Sequence, residues 1–354
     1  MLQVKIASAL ATFGFLVSAC TPPLPPEVLA AYAEAEIYCG EDPITVKVNE
    51  NILFAVSEAL YLYGSECGEE SVLVDSELEN PDIILTDLSA TDVPVCESPQ
   101  ISLPVFSQAY GLAYNLEDIQ GIALDSRTVL AIYSGEITMW DAPQIADLNP
   151  GIQLPSTEIK VKHISEPPQG VEDFFAWMER LSNTSGYFIG EQVAQSEDFF
   201  DLSQEILFEV GAISLLPIPL AFDNVLSAIE IVNEDGNVIY NDSTAFGAGA
   251  TQVSWVEEDS SIKVTHDPLK DIPLDPGSEE IVAPYQGLGW SYLYVCGDGN
   301  LNLSTSAVAR FLLRQDAQGT LDLYGITPLY EPLRLEAAEL AGRLLPQPEI
   351  PEDL

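Results

Sequence analysis

What this chain has least of is positive charge. Its 354 residues include 12 lysines and arginines against 56 aspartates and glutamates, a formal charge of −44 at pH 7. With no basic stripe anywhere, nucleic acid and anionic membrane surfaces are excluded as partners, and the acidic exterior reads as a device for solubility in salty surroundings. Histidine is nearly absent, with only His163 and His266, and no cysteine pair has C-x-x-C spacing, so a zinc centre is unsupported and no metal or cofactor is expected. The chain also lacks G-x-S-x-G, H-E-x-x-H, a Walker loop and a G-x-G-x-x-G between strand and helix. His163 near Glu166 and Asp173 could exchange a proton, but without a nucleophile or metal it makes no catalytic set, and an enzyme is not expected. The apolar run Ile6 to Val17 falls short of the ~20 residues that span a bilayer.

That run has another meaning. Lys5, the run itself and then Val17-Ser18-Ala19-Cys20 have the layout of a bacterial lipoprotein signal. Residues 1–19 are expected to be removed, Cys20 to carry lipid, and residues 20–38, opening on "TPPLPP", to form a tether. The alternative is an ordinary secretory signal with an incidental cysteine. The protein is therefore expected outside the cytoplasm, held to the cell membrane through its N-terminal lipid. Four cysteines remain, and in an oxidising compartment an even count favours two disulfides. Three connectivities are open. Cys39–Cys67 is favoured because a strand over 44–48 followed by a helix over 51–63 returns the chain to the end it left, and Cys96–Cys296 follows by elimination.

At 47% hydrophobic the chain can bury a large core, and its length suggests two lobes. Strands at 44–48, 71–74 and 82–85 alternate with a helix at 52–63, their continuous apolar runs fitting a parallel sheet buried on both faces. A long extended segment, 105–115, follows. Asp125 caps a helix through Ser134 that stops at Gly135. "KVKHISEPPQGVEDFFAWME", 160–179, reads as strand, loop and helix with Val171, Phe174, Phe175 and Met178 on its apolar face. A helix start delivered by a strand is a ready anion seat, yet this loop brings two prolines and Glu166. Further on come a strand at 212–216, a hairpin around Asp235-Gly236, a strand in "GLGWSYLYVC", and helices at 304–314 and 332–345. The fold class is α/β.

Gly135, Ile137, Trp140, Asp141, Pro143, Ile145, Leu148, Asn149, Pro150, Leu154, Pro155 and Ile159 together resemble the segment "G-x-I-x-x-W-x-d-p-x-I-x-x-L-N-P-x-x-x-L-P-x-x-x-I" of the phosphate-binding proteins that feed Pst-type ABC importers. "QAYGLAYN", "VGAISLLP" and "PYQGLGWSYLYV" are similar to further stretches of that family. The resemblance implies a type II periplasmic-binding-protein fold. Its first lobe would be discontinuous, 39–105 and 284–354, its second would be 106–283, and a small oxyanion or other small solute would sit between them, with an ABC permease as partner. The ligand candidates it implies are Thr86, Asp87, Ser89, His163, Ser165, Gln169 and Gly170. The family's Gly-rich first loop falls on "NENILFAV", its Ser-Gly turn on "SECGEES", and its Arg-x-Asp-Gly-Ser-Gly-Thr loop on 163–170, where the arginine position holds His163 or Ile164. The expected function is thus a lipid-anchored solute-binding protein with an eroded phosphate pocket. The alternative is a ligand-free scaffold or accessory lipoprotein of the cell envelope. "FGAGATQ", 246–252, imitates the family's glycine loop but is read as loop or helix start, and "GLG", 287–289, as hinge flexibility.

Overall fold

The order of strands follows from where the apolar runs lie. In a computed structural model, residues 34, 36–86, 99–186, 189–190, 193–267, 272–273, 281–296 and 301–346 are described. Ile37–Gln347 forms one compact unit, to which all of the elements below belong. The expected signal, Cys20, Asp87, Ser89 and Cys96 lie outside the described residues.

The first βαβ unit is β1 (Ile44–Val48), α1 (Glu50–Cys67) and β2 (Val72–Asp75), followed by β3 (Ile83–Thr86). The strand β4 (Pro99–Tyr114) is 16 residues long. Next come β5 (Ala123–Asp125), α2 (Ser126–Ser134), α3 (Pro143–Leu148), β6 (Lys160–Ile164), α4 (Gln169–Ser182), β7 (Ala194–Ser196), α5 (Phe199–Phe208), β8 (Ala212–Pro217) and α6 (Ile218–Asp223). Short strands β9 (Ser227–Ala228), β10 (Glu230–Val232) and β11 (Val238–Ile239) lead to α7 (Ser243–Ala250) and the hairpin β12 (Val253–Glu258) with β13 (Ser261–His266). The chain continues through β14 (Ile272–Pro273), β15 (Ile281–Val282), β16 (Leu288–Cys296), α8 (Leu303–Leu312), α9 (Gln315–Leu323), β17 (Ile326–Pro328) and α10 (Glu331–Ala341).

The main sheet runs β2-β1-β3-β16-β4-β8-β6-β7. Parallel pairs β1–β2, β1–β3, β6–β8 and β6–β7 flank antiparallel β16 and β4. The spine is β4: its first part, through Ala109, pairs with β16, and Tyr110 to Tyr114 pair with β8. That division of labour explains why "VFSQAYGLAY" is buried on both faces.

The segment carrying the strongest resemblance is a structural module. Trp140 is fully buried and donates from its indole to Gly211 O at 3.0 Å. Asn149 accepts from Ala123 N and donates to Ala123 O and Ile145 O, which fastens α3 to β5. Gly135 sits at φ 81°, the left-handed turn that ends α2. Asp125 caps that helix through Thr128 N, as its sequence predicts. The Cys39–Cys67 disulfide is present, tying the chain ahead of β1 to the end of α1. Cys296 is also disulfide-bonded.

Candidate functional site

Helix α4 buries Val171, Phe174, Phe175, Trp177 and Met178 completely or nearly so, each stabilising the packing by about 1.5–3 kcal/mol. That packing fixes where the helix begins. Its N-cap position is Pro168, whose side chain offers no acceptor, and neither Ser165 nor Gln169 caps it. Ser165 is exposed, with its backbone amide bonded to Ser196 O. Gln169 turns its amide back to Asp173 Oδ1 at 3.1 Å.

Gly170 is the tightest point. A β-carbon there would lie 2.3 Å from Tyr110 Cε2 and 2.7 Å from Gly289 Cα. The first turn of α4 is thus seated against the spine strand β4 and against β16. Gly287 and Gly289 serve this contact by being small. A β-carbon on Gly287 would come within 2.6 Å of Phe174, and one on Gly289 within 2.8 Å of Gly170 Cα. "FGAGATQ" is resolved: Phe246 to Ala250 belong to α7, capped by Asp242, and Gly249 packs on the carbonyl of Tyr285.

His163 does not replace an arginine. It is buried, edge-on to Tyr133 and Phe175, and burial lowers its pKa to about 4. The imidazole is therefore neutral at ordinary pH and packs as an aromatic. Thr86 is buried at the end of β3 opposite Tyr292 of β16. Among the described ligand candidates, Gly170 is packed against Tyr110 and Gly289.

Two residues outside those candidates are brought to that place. Gln108 pairs across the sheet with Gly289, so the two share a face, and Tyr110, two residues on, shares it too. Gln108 is fully buried. Its Oε1 accepts from Asn51, in the first turn of α1, at 3.0 Å. A single amide thus links the start of α1 to the strand position beneath the start of α4. Its Nε2, and the hydroxyl of fully buried Ser291 on the same face, have no hydrogen-bond partner among the described residues. The signal in the sequence is a glutamine beside a serine in a largely apolar strand, "VFSQAYGLAY".

Charge around these helix starts is negative. Glu50 and Glu172 lie in the first turns of α1 and α4 and complement their dipoles. Among the described residues, these cations have partners elsewhere: Arg180 with Gln286, Lys160 and Lys162 with Glu209 and Glu205, Arg314 with Asp316, Arg334 with Glu331, Arg343 with Glu257. Among the described residues, the junction offers the neutral groups of Gln108 and Ser291.

The chain is 32% identical over 111 residues to the phosphate-binding protein PstS 2 of Mycobacterium tuberculosis, covering 28% of this chain and 30% of that one. Over that stretch it is similar to the Pst-type phosphate-binding proteins. The match to PstS of Xylella fastidiosa is 24% over 186 residues, 48% of this chain and 50% of that one. The chain thus aligns with half or less of the length of these relatives. No protein-family profile matches it. A putative phosphate ABC transporter substrate-binding protein from Clostridium perfringens, solved with bound phosphate, superposes with a TM-score of 0.52 at 10% identity, covering 82% of this chain and all of that one. A high-affinity periplasmic phosphate-binding protein, PfluDING, gives 0.52 at 12% identity over 83% and 92%. The two-lobed α/β fold of periplasmic binding proteins is therefore the fold of this chain.

Proposed function

We propose that this protein is a lipid-anchored, extracytoplasmic solute-binding protein whose cleft no longer holds phosphate tightly. Its lobes are 39–105 with 284–354, and 106–283. Residues 1–19 are the signal, and Cys20 with the tether to residue 38 holds the protein at the membrane beside an ABC permease. Its work is binding and not catalysis.

The seat at Gly170 carries this reading. The amide end of α4 lies on Gly289 and Tyr110, and the neighbouring side chains, Gln108 and Ser291, are neutral. A dianion enclosed there would lack a compensating cation, at a cost of several kcal/mol, and each missing charge-assisted hydrogen bond removes about 1.5–3 kcal/mol more. A smaller or less charged solute is compatible with neutral donors. The same packing also favours the second reading, a ligand-free envelope scaffold.

Titration calorimetry with inorganic phosphate is the test. Binding weaker than micromolar is expected, and a submicromolar dissociation constant would sink the proposal. Thermal melting against a panel of neutral and singly charged solutes separates the two readings, since a ligand at 100 times its Kd adds about 2.7 kcal/mol to stability.

A further inference from the structure

A cavity lies near Gly111 of β4. Side chains alternate along a strand, so Gly111 points opposite to Tyr110. A β-carbon there would lie 2.2 Å from Ile218 Cδ1 and 3.5 Å from Asn241 Oδ1. The cavity beyond those residues measures about 320 Å³, within the ~300–1,000 Å³ of small-molecule sites.

Its walls are apolar: Ile218, Pro219 and Phe222 of α6, Phe246 of α7 and Ile326 of β17. Two elements far apart in the chain meet across it. The bend after α9 reaches α6 because Gly325, at φ 73°, comes so close that a β-carbon would sit 3.1 Å from Pro219. The charged residues of the lining are Asp242 and Asp322, both exposed, and no lysine, arginine or histidine joins them. Asp242 uses one oxygen to cap α7 at Ala245 N. The cavity is thus an apolar cup with two carboxylates, on a molecule whose whole field concentrates cations at its surface.

We infer that this cavity is a binding site, separate from the α4 cleft, for a small apolar molecule bearing a single positive charge, such as an aryl- or alkylammonium. The apolar body displaces water from the Phe222 and Pro219 walls while the ammonium lies beside Asp242 and Asp322. Any negatively charged analogue meets two like charges at the same position. Because the occupant touches both α6 and β17, it also clamps the two segments together.

The probe is benzylammonium, compared with benzyl alcohol and benzoate, by heteronuclear NMR titration of the intact mature protein in low salt. Benzylammonium is expected to shift resonances of Phe222, Phe246 and Ile326, to bind about tenfold tighter than benzyl alcohol, and to raise the melting temperature. Benzoate is expected not to bind. Asp242→Asn keeps an acceptor for the helix cap, and Asp322→Asn lies on the surface. The double variant should bring benzylammonium down to the affinity of benzyl alcohol, and Phe222→Ala should weaken both. Equal binding of all three probes, no binding of any, or shifts confined to other parts of the molecule would each overturn the assignment.

Discussion

Val225 shows how one side chain can work against its backbone. It follows α6 at φ 58°, where its amide bonds to Phe222 O and the next amide, of Leu226, reaches back to Ala221 O. This left-handed helix ending normally takes glycine or asparagine, and a β-branched residue there costs about 1–2 kcal/mol. Its side chain is 88% exposed and packs on little. Val225→Gly should therefore stabilise the protein by about 1 kcal/mol, read as a higher urea midpoint with unchanged slope. His163 makes the opposite kind of statement, one about pH. Its pKa is about 4 in the folded protein against about 6.5 unfolded, so below pH 6.5 the unfolded chain binds a proton that the native one refuses. The stability His163 permits is complete above that pH and declines as pH falls towards 4. Over that window the wild type should lose on the order of 3 kcal/mol relative to His163→Phe, measured as the difference between their denaturation free energies at each pH. The difference removes the shared titration of the carboxylates. Neither property is legible at the single position, since a valine in a turn and a histidine in a strand carry no mark of their dihedral angle or burial.

At the scale of elements, the start of α4 is the informative case. Alanine normally favours a helix over glycine by about 1 kcal/mol. Gly170→Ala should nevertheless destabilise by about 1–3 kcal/mol, because its β-carbon would overlap Tyr110 and Gly289. Chemical denaturation that found the variant more stable would show that α4 is not seated on β16. The elements themselves were legible: β6 with its loop and α4, the Asp125 cap and the Gly135 stop all follow from local pattern. The Cys39–Cys67 bridge was legible as well, because a strand and a helix returning on it bring the ends of a 28-residue span together, a closure that stabilises by about 3–4 kcal/mol on chain-entropy grounds. Less readable was the purpose of the glycines. "GLG" is compatible with a hinge and with a close approach alike, and the neighbour that requires Gly289 to be small, Gly170, is more than a hundred residues away in sequence.

For the molecule as a whole, a formal charge of −44 means that folding gathers like charges. Surface ion pairs such as Lys263–Glu258, both exposed, relieve little of this. Raising sodium chloride from about 0.01 to 1 M shortens the screening length from about 30 to 3 Å, so the melting temperature should climb steeply over that range and then level. A flat response by scanning calorimetry would mean that self-repulsion has little influence on stability.

The α/β class, the order of most elements, the favoured disulfide and the scarcity of cationic groups are all local or compositional properties, and for that reason the chain alone determined them. The segment around Trp140 and Asn149 was recognisable by its resemblance, while the hydrogen bonds those two side chains make were shown by the structure. What tertiary structure alone decided is which residues meet. Gln108 lies beneath Gly289, Asn51 reaches Gln108 from another helix, and His163 is neutral because Tyr133 and Phe175 surround it. Such meetings depend on strand register and on side chains converging from distant segments, and no short-range periodicity encodes them.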